Sequence, residues 1–355
     1  MYFSRHNKLM ILLVLFLSFL LFLAGCRNPD DSAIDQAQGR IALVTKPGDR
    51  SGDAMAARLS QSDAFKDLHV VTAVPGPPAE EQLRLLSEEG YLMIVASSPD
   101  YALDVTIVAP DFPGTVYVIF DAIVEGDNVA SVMPDFSDGL MRAGVLAALA
   151  ADYLPIEQPT PTPYQAPYPS PEDQEPPHSL TVSIITSAAN PLGDEWQSAI
   201  IEGVARTGKP INVTSAAAVS GQTGSRRQRN TLDALINEAL QQNAYIICID
   251  GSIPMDQISE TIGAHSIYLI GIAHDISFLI PGKVLASVIV FPEVILLPIL
   301  EDARHRKFEG AVLTPSDTNG GVGFANLQGL PRNIEELVAE QIGSTNKPGD
   351  LPEAR

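Results

Sequence analysis

The sequence predicts an α/β protein built as two doubly wound lobes, each a parallel sheet flanked by helices. Three observations carry this. Strand-like and helix-like segments alternate along the chain, and the alternation runs twice. The strand-like segments are continuous Val/Ile/Leu runs, as expected of strands buried on both faces. The chain has 355 residues and 45% hydrophobic content, which exceeds one minimal domain and suits two lobes of ordinary size.

The elements follow in order. RIALVT at 40–45 reads as a first buried strand, and KPGDRSGD at 46–53 as a glycine-containing loop before a helix from Ala54 to Ser60. A strand at 69–74 precedes an acidic helix from Glu80 to Glu89, with Gly90 placed to cap it. Strands follow at 91–96, at 115–120 (ending at Asp121) and at 128–132, with a weakly patterned helix over 100–109 between the first two. Gly139 to Ala151 is small and apolar, a packed helix. Residues 155–177 hold nine prolines, so the stretch is extended and solvated, a surface loop or linker. Strands resume at 180–186, 211–217, 245–250, 266–272 and 284–289, with helices at 193–205, 226–242 and 255–263. A helix at 293–305 contains Pro298, and a last strand covers 309–314.

The N-terminus carries its own signal. Arg5 and Lys8 precede an almost wholly apolar run from Leu9 to Leu23, and Leu23-Ala24-Gly25-Cys26 closes it. Basic, apolar, then small residues before a cysteine make a bacterial lipoprotein signal peptide over 1–25. The Cys26 thiol is the expected site of lipidation, and residues 26–39 form a polar tether. The run is too short for a comfortable membrane span, which needs about 20 residues. Two or more acyl chains give stable anchoring at the cell membrane.

Net charge of −21 argues against nucleic acid or anionic lipid headgroups as partners. With Cys26 acylated, Cys248 is alone, inside the apolar run AYIICI, and reads as a small core residue. No HExxH, CxxC pair, GxSxG elbow or Walker lysine is present, and no metal-ligand spacing stands out, so neither catalysis nor a cofactor is expected. GGVGF at 320–324 lacks the strand and long helix of a dinucleotide loop and reads as a tight connection. His274, beside Asp275, reads as a surface or hinge histidine.

What remains is binding. In parallel sheets, ligands lie beyond the carboxyl ends of strands. Lys46 and the loop to Asp53, Ser97, Ser98, Asp121, Asp250 with Gly251, and Asp275 all fall there. An aspartate can accept hydrogen bonds from hydroxyls or an amine, and Trp196, near a helix start, can stack on a flat ligand.

Several segments then resemble one family: NVASV at 128–132 with Gly139 and Ala143-Gly144, GIAHD at 271–275, PGKVLAS at 281–287, KFEG at 307–310, GGVGFA at 320–325 and GLP at 329–331. In this order and spacing they resemble the basic membrane protein family, lipoproteins similar to purine nucleoside receptors of ABC transporters. The resemblance covers residues 40–340 apart from the proline-rich stretch. It implies a type I periplasmic-binding-protein fold whose lobes are joined by a three-strand hinge and close on a ligand. It places the crossings near Val132 to Asp135, Asp275 to Pro281 and Pro315 to Gly320. Lobe 1 is then 40–132 and 282–314; lobe 2 is 133–281 and 315–345, with 155–177 an insertion and 346–355 a tail.

Asp121, Trp196 and Gly251 fit the family's ligand-binding positions, and Asp275 remains of its Gly-Val-Asp-x-Asp segment. Other positions depart. Lys46 stands where the family has aspartate, Ser51, Gly52 or Asp53 stand near its Asn-Asp pair, and Met55 near its stacking aromatic. Ala273 replaces an aspartate and Val290 a lysine. Each lost charge-assisted bond is worth about 1.5–3 kcal/mol, and about 1.4 kcal/mol is tenfold in affinity. The resemblance therefore implies a solute-binding lipoprotein on the extracytoplasmic face that serves an ABC permease, with a small polar ligand, nucleoside-like or not. The altered loop opens an alternative, a non-transporting envelope sensor or regulatory lipoprotein.

Overall fold

A computed structural model describes residues 39–154, 180–188, 190–218, 226–253, 262, 267–278 and 280–342. The signal peptide, Cys26, the proline-rich stretch, the tail from 343 and all but one residue of the helix expected at 255–263 lie outside them.

The first half runs β1 (Ile41–Thr45), α1 (Arg50–Leu59), β2 (Leu68–Thr72), α2 (Pro77–Glu88), β3 (Met93–Ala96), α3 (Ala102–Val108), β4 (Val116–Phe120) and β5 (Val129–Val132). It continues with α4 (Ser137–Ala150), β6 (Thr181–Ser187), α5 (Gly193–Arg206), β7 (Asn212–Ala218), α6 (Arg226–Gln241), β8 (Ala244–Asp250), β9 (Tyr268–Ile272) and β10 (Val284–Val290). The last elements are α7 (Pro292–Arg304), β11 (Ala311–Leu313), β12 (Val322–Ala325) and α8 (Ile334–Ile342).

The strands form two six-stranded sheets, ordered β11-β5-β4-β3-β1-β2 and β12-β10-β9-β8-β6-β7. All pairs are parallel except β10 with β12. Strand period two decides what each face meets. In β1, Ile41 and Leu43 pack toward Met55 and Leu59 of α1 and Ile295 and Leu296 of α7. Ala42 and Val44 pack toward Leu83 and Leu86 of α2 and Val105 of α3. The second sheet is sandwiched likewise, between α4, α5 and α8 on one face and α6 on the other. Each fully buried Leu, Ile or Val contributes roughly 1.5–3 kcal/mol, which is why unbroken apolar runs become central strands. Cys248 is one of these core residues; burial pushes its thiol up to about 12, so it is inert.

The lobes echo each other in detail. Asp121 and Ala273 each follow the fourth strand of their sheet in the left-handed region (φ 59° and 65°). Their N–H groups donate to Val132 and Val288, respectively, on the next strand. Three residues further on, the N–H of Val124 donates to Ser131 Oγ (2.9 Å) and that of Ile276 to Ser287 Oγ (3.1 Å). Both serines sit in an Ala-Ser-Val triplet, a small internal repeat.

Three connections join the lobes. Met133 N–H donates to Leu313 O, Asp135 N–H to Pro315 O and Phe291 N–H to Gly321 O, so the crossing segments are bonded to one another. The middle crossing is a correction. β10 pairs with β9 in the second sheet, so the chain returns to the first lobe after Val290, not near Asp275 to Pro281. Residues 284–290 therefore belong to lobe 2, where VLASVIV, apolar apart from Ser287 and buried up to Ile289, pairs with β9 on one side and β12 on the other. Two further elements were not expected: GGVGF contributes β12 rather than a bare connection, and α8 buries Ile334 and Val338.

Helices α4 and α5 approach unusually closely. A Cβ on Gly144 would meet Ile200 O at 2.1 Å, and one on Gly203 would meet Met141 O at 1.9 Å. At the hinge end of this pair, Trp196 lies on Phe136, ring centroids 5.5 Å apart.

Candidate functional site

The carboxyl end of β1 in one lobe comes together with those of β8 and β9 in the other. On the first lobe, α1 starts at Arg50 rather than at Ala54 because Asp49 caps it, accepting from Gly52 N–H at 3.0 Å. A Cβ on Gly52 would meet Thr45 at 2.6 Å, so glycine draws this helix start against the end of β1. Asp49 also accepts from Ser97 Oγ, tying the β1 and β3 ends together. Lys46 pairs with Asp100 and lowers its carboxyl below the usual range, chiefly through their hydrogen bond.

Asp121 forms no ion pair among the described residues. It is solvent-exposed, yet dense protein around it raises its carboxyl above the ordinary value by desolvation.

On the second lobe, Asp250 is buried and saturated. It accepts from Ser187 N–H (3.1 Å), Asn190 Nδ2 (3.1 Å) and Ser252 N–H (2.8 Å). Gly251 has a steric role: a Cβ there would meet His274 Cβ at 2.5 Å. The half-buried His274 thus lies against the β8 end, and its Nε2 is 2.9 Å from Ser51 Oγ on the opposite lobe. Its Nδ1 is sealed from solvent and has no hydrogen-bond partner among the described residues. Burial, the largest influence, holds the imidazole below its ordinary 6.5; Asp250 opposes, Arg50 reinforces and Asp49 opposes.

The expected site residues separate into groups. Asp121 and Gly251 stand at the facing strand ends, and Asp53 is exposed on the first turn of α1. Met55 does not reach the cleft: it lies in the first lobe's core with Leu59 and Phe65, because the Gly52, Met55, Leu59 stripe is the buried face of α1. Asp275 is committed to the lobe-2 side of the hinge, accepting from Ser277 N–H (2.9 Å) and Asn326 Nδ2 (2.6 Å). Trp196 is partly used in packing on Phe136. Ser51 and His274 were each legible, as a residue of the first loop and as a surface or hinge histidine, but their contact was not; Gly251 was the available signal, since a glycine after a buried strand marks a close approach.

Two cavities lie elsewhere. One of 470 Å³ runs between α7 and β11, lined by Pro298, Phe308 and Leu313. One of 1260 Å³ lies at the opposite, amino ends of the first lobe's strands, lined by Tyr91, Phe112 and Arg306. No helix among the described residues is long and apolar enough to cross a membrane, and no group of three or more His, Cys, Asp or Glu there is placed to hold a metal ion.

No protein-family model matches the chain, and no curated protein does. Solved structures do match. A transcriptional activator of the comK gene from Bacillus halodurans is similar with TM-score 0.64 and 15% identity over 89% of this chain and 100% of that one. An ABC transporter solute-binding protein from Conexibacter woesei matches with TM-score 0.62 and 15% identity over 87% and 98%. One from Aeropyrum pernix matches with TM-score 0.57 and 18% identity over 89% and 82%. At these identities the likeness speaks for architecture alone, and with two parallel-dominated six-stranded sheets joined by three crossings the chain has the type I periplasmic-binding-protein fold.

Proposed function

We propose that this chain is an extracytoplasmic solute-binding lipoprotein that captures a small polar ligand between its lobes and hands it to an ABC permease. The signal peptide at 1–25, acylated Cys26 and the tether to residue 39 would hold it at the membrane. The observation that supports the reading is the exposed Asp121 carboxylate, held in the left-handed region directly after β4 at the carboxyl end of the sheet. It favours a ligand that donates hydrogen bonds, through the hydroxyls of a sugar or nucleoside or through an amine. Gly251 lets His274 lie against the β8 end, Asp53 is exposed on the first turn of α1, and the half-buried Trp196 offers an apolar surface. Asp275 would act by holding the hinge-side loop, and Met55 by supporting α1 from below.

A thermal-shift screen across nucleosides, bases, sugars and amines tests this, with mass spectrometry of any co-purified ligand. A true ligand at about one hundred times its Kd stabilises by roughly 2.7 kcal/mol, and Asp121→Asn should remove most of that gain. An intact protein stabilised by none of these classes sinks the proposal.

Two observations favour a second reading, a non-transporting envelope regulator. Ser51 and His274 bond the lobes directly, and no aromatic stands at the Met55 position. Deleting the gene would then alter gene expression while leaving solute uptake unchanged; a loss of uptake excludes it.

A further inference from the structure

We infer that Ser51 and His274 form a proton-gated clasp between the lobes, closed while the imidazole is neutral and released when it takes a second proton. The inference rests on the two-lobed receptor reading above and adds its regulation.

Ser51 lies on the first turn of α1 in one lobe and His274 just after β9 in the other, so their 2.9 Å contact spans the strand ends. A neutral imidazole has one donor and one acceptor nitrogen, and a hydroxyl can serve either, so Ser51 satisfies Nε2 in both tautomers. An imidazolium has two donors. Nδ1, already sealed against Gly251 without a partner among the described residues, would become a buried charged donor with no acceptor.

The groups facing the ring do not relieve this. From the β8 end, Asp250 is turned to Ser187, Asn190 and Ser252. From α1, Asp49 is turned to Gly52 and Ser97, while Arg50 and the positive end of the helix oppose a second positive charge. Asp275, next in the chain, is held by Ser277 and Asn326. The attraction of Asp250 and Asp49 is outweighed by burial, so the clasped ring binds a second proton less readily than a hydrated one.

The sign follows from linkage. The parted state takes the proton first, so closure is fully favoured above the ordinary 6.5 and weakens as pH falls through that value toward the clasped state's lower one. For one linked proton, the closed-to-open ratio falls by up to about tenfold per pH unit within that window.

The test uses the full chain in detergent, spin-labelled at Gln61→Cys on the first lobe and Ser198→Cys on the second. Both positions are exposed, and Cys248 is buried. Pulsed EPR distances are read from pH 8 to pH 5, with far-UV circular dichroism on the same samples to separate opening from unfolding. We expect a short-distance population that dominates at pH 8 and declines below 6.5. His274→Gln, neutral at every pH, should abolish the response, and Ser51→Ala should enlarge the open population even at pH 8. The His274 imidazole, followed by NMR, should titrate below 6.5 and move back toward it in Ser51→Ala. A distance distribution indifferent to pH, or a response that persists in His274→Gln, overturns the clasp. The experiment contains no solute, so its failure leaves the ligand reading standing, and a failed ligand screen leaves the clasp measurable.

Discussion

Replacing Gly203 by alanine sets two known effects against each other. In an unobstructed helix the exchange stabilises by about 1 kcal/mol, because glycine is the poorer helix former. Here the new Cβ would stand 1.9 Å from the Met141 carbonyl oxygen, about 1.5 Å short of the 3.4 Å at which ordinary contact begins. The obstacle is backbone, so no side chain can swing aside; α5 must move off α4. Overpacking of this kind costs about 1–3 kcal/mol and occasionally more. So deep an overlap with backbone falls in the upper part of that range, about 2–3 kcal/mol, and after the propensity gain of about 1 kcal/mol we expect a net loss of about 1–2 kcal/mol. At roughly 2–4 °C per kcal/mol for domains of 150–250 residues, Tm should drop by about 2–8 °C in calorimetry. Trp196 rides on the first turn of the displaced helix and is the only tryptophan in the chain, so its emission should shift to the red as it leaves Phe136. Ser198→Ala, on the exposed face of the same helix, should stay within about 0.5 kcal/mol. A raised Tm with unchanged emission in Gly203→Ala would show that the helices have room, and the close-approach argument would fail.

Three other outcomes are expected. Burial around Asp121 raises its carboxyl, so its contribution to stability is present below the ordinary 3.8 and lost as pH rises through the folded value. Asp121→Asn should therefore flatten the acid side of a Tm-against-pH curve and raise Tm at pH 7; a lower Tm at pH 7 contradicts this. Ser131→Ala and Ser287→Ala each strand a buried N–H, of Val124 and Ile276 respectively, and should each cost about 1–3 kcal/mol by urea titration; a large difference between them would deny the equivalence of the two loops. Cys26→Ser should shift the protein from the membrane to the soluble fraction on cell fractionation, and continued membrane association would contradict the lipid anchor.

Much of the fold was legible because burial on both faces writes itself as apolar runs: IALVT, VYVIF and AYIICID all became central strands. β12 was hidden because Gly321 and Gly323 look like a turn, whereas Gly323 admits the Phe291 ring, 3.0 Å from where its Cβ would lie. The sheet to which β10 belongs cannot be read from VLASVIV, since a central strand carries no mark of its neighbours. At the site, residues were matched by position along the chain, which does not reveal a helix face. The spacing Gly52, Met55, Leu59 would have shown that Met55 points inward. His274 needed the third dimension: nothing within the sequence brings it to Ser51, 223 residues away.

The order in which the crossings occur bears on how this molecule is made. The first lobe's sheet is begun by β1 to β5, but α7, which covers one of its faces, and β11, which finishes its edge, arrive only after β6 to β10 of the second lobe have been threaded. Until then Ile41, Leu43, Met93 and Val95 have no Ile295, Leu296, Ile299 or Leu300 to cover them. Such distant pairings fold slowly, because long loops must close before they are rewarded. A nascent chain with this layout cannot complete its first lobe early. That delay would suit the export proposed above, in which the chain crosses a membrane unfolded and acquires its shape on the far side.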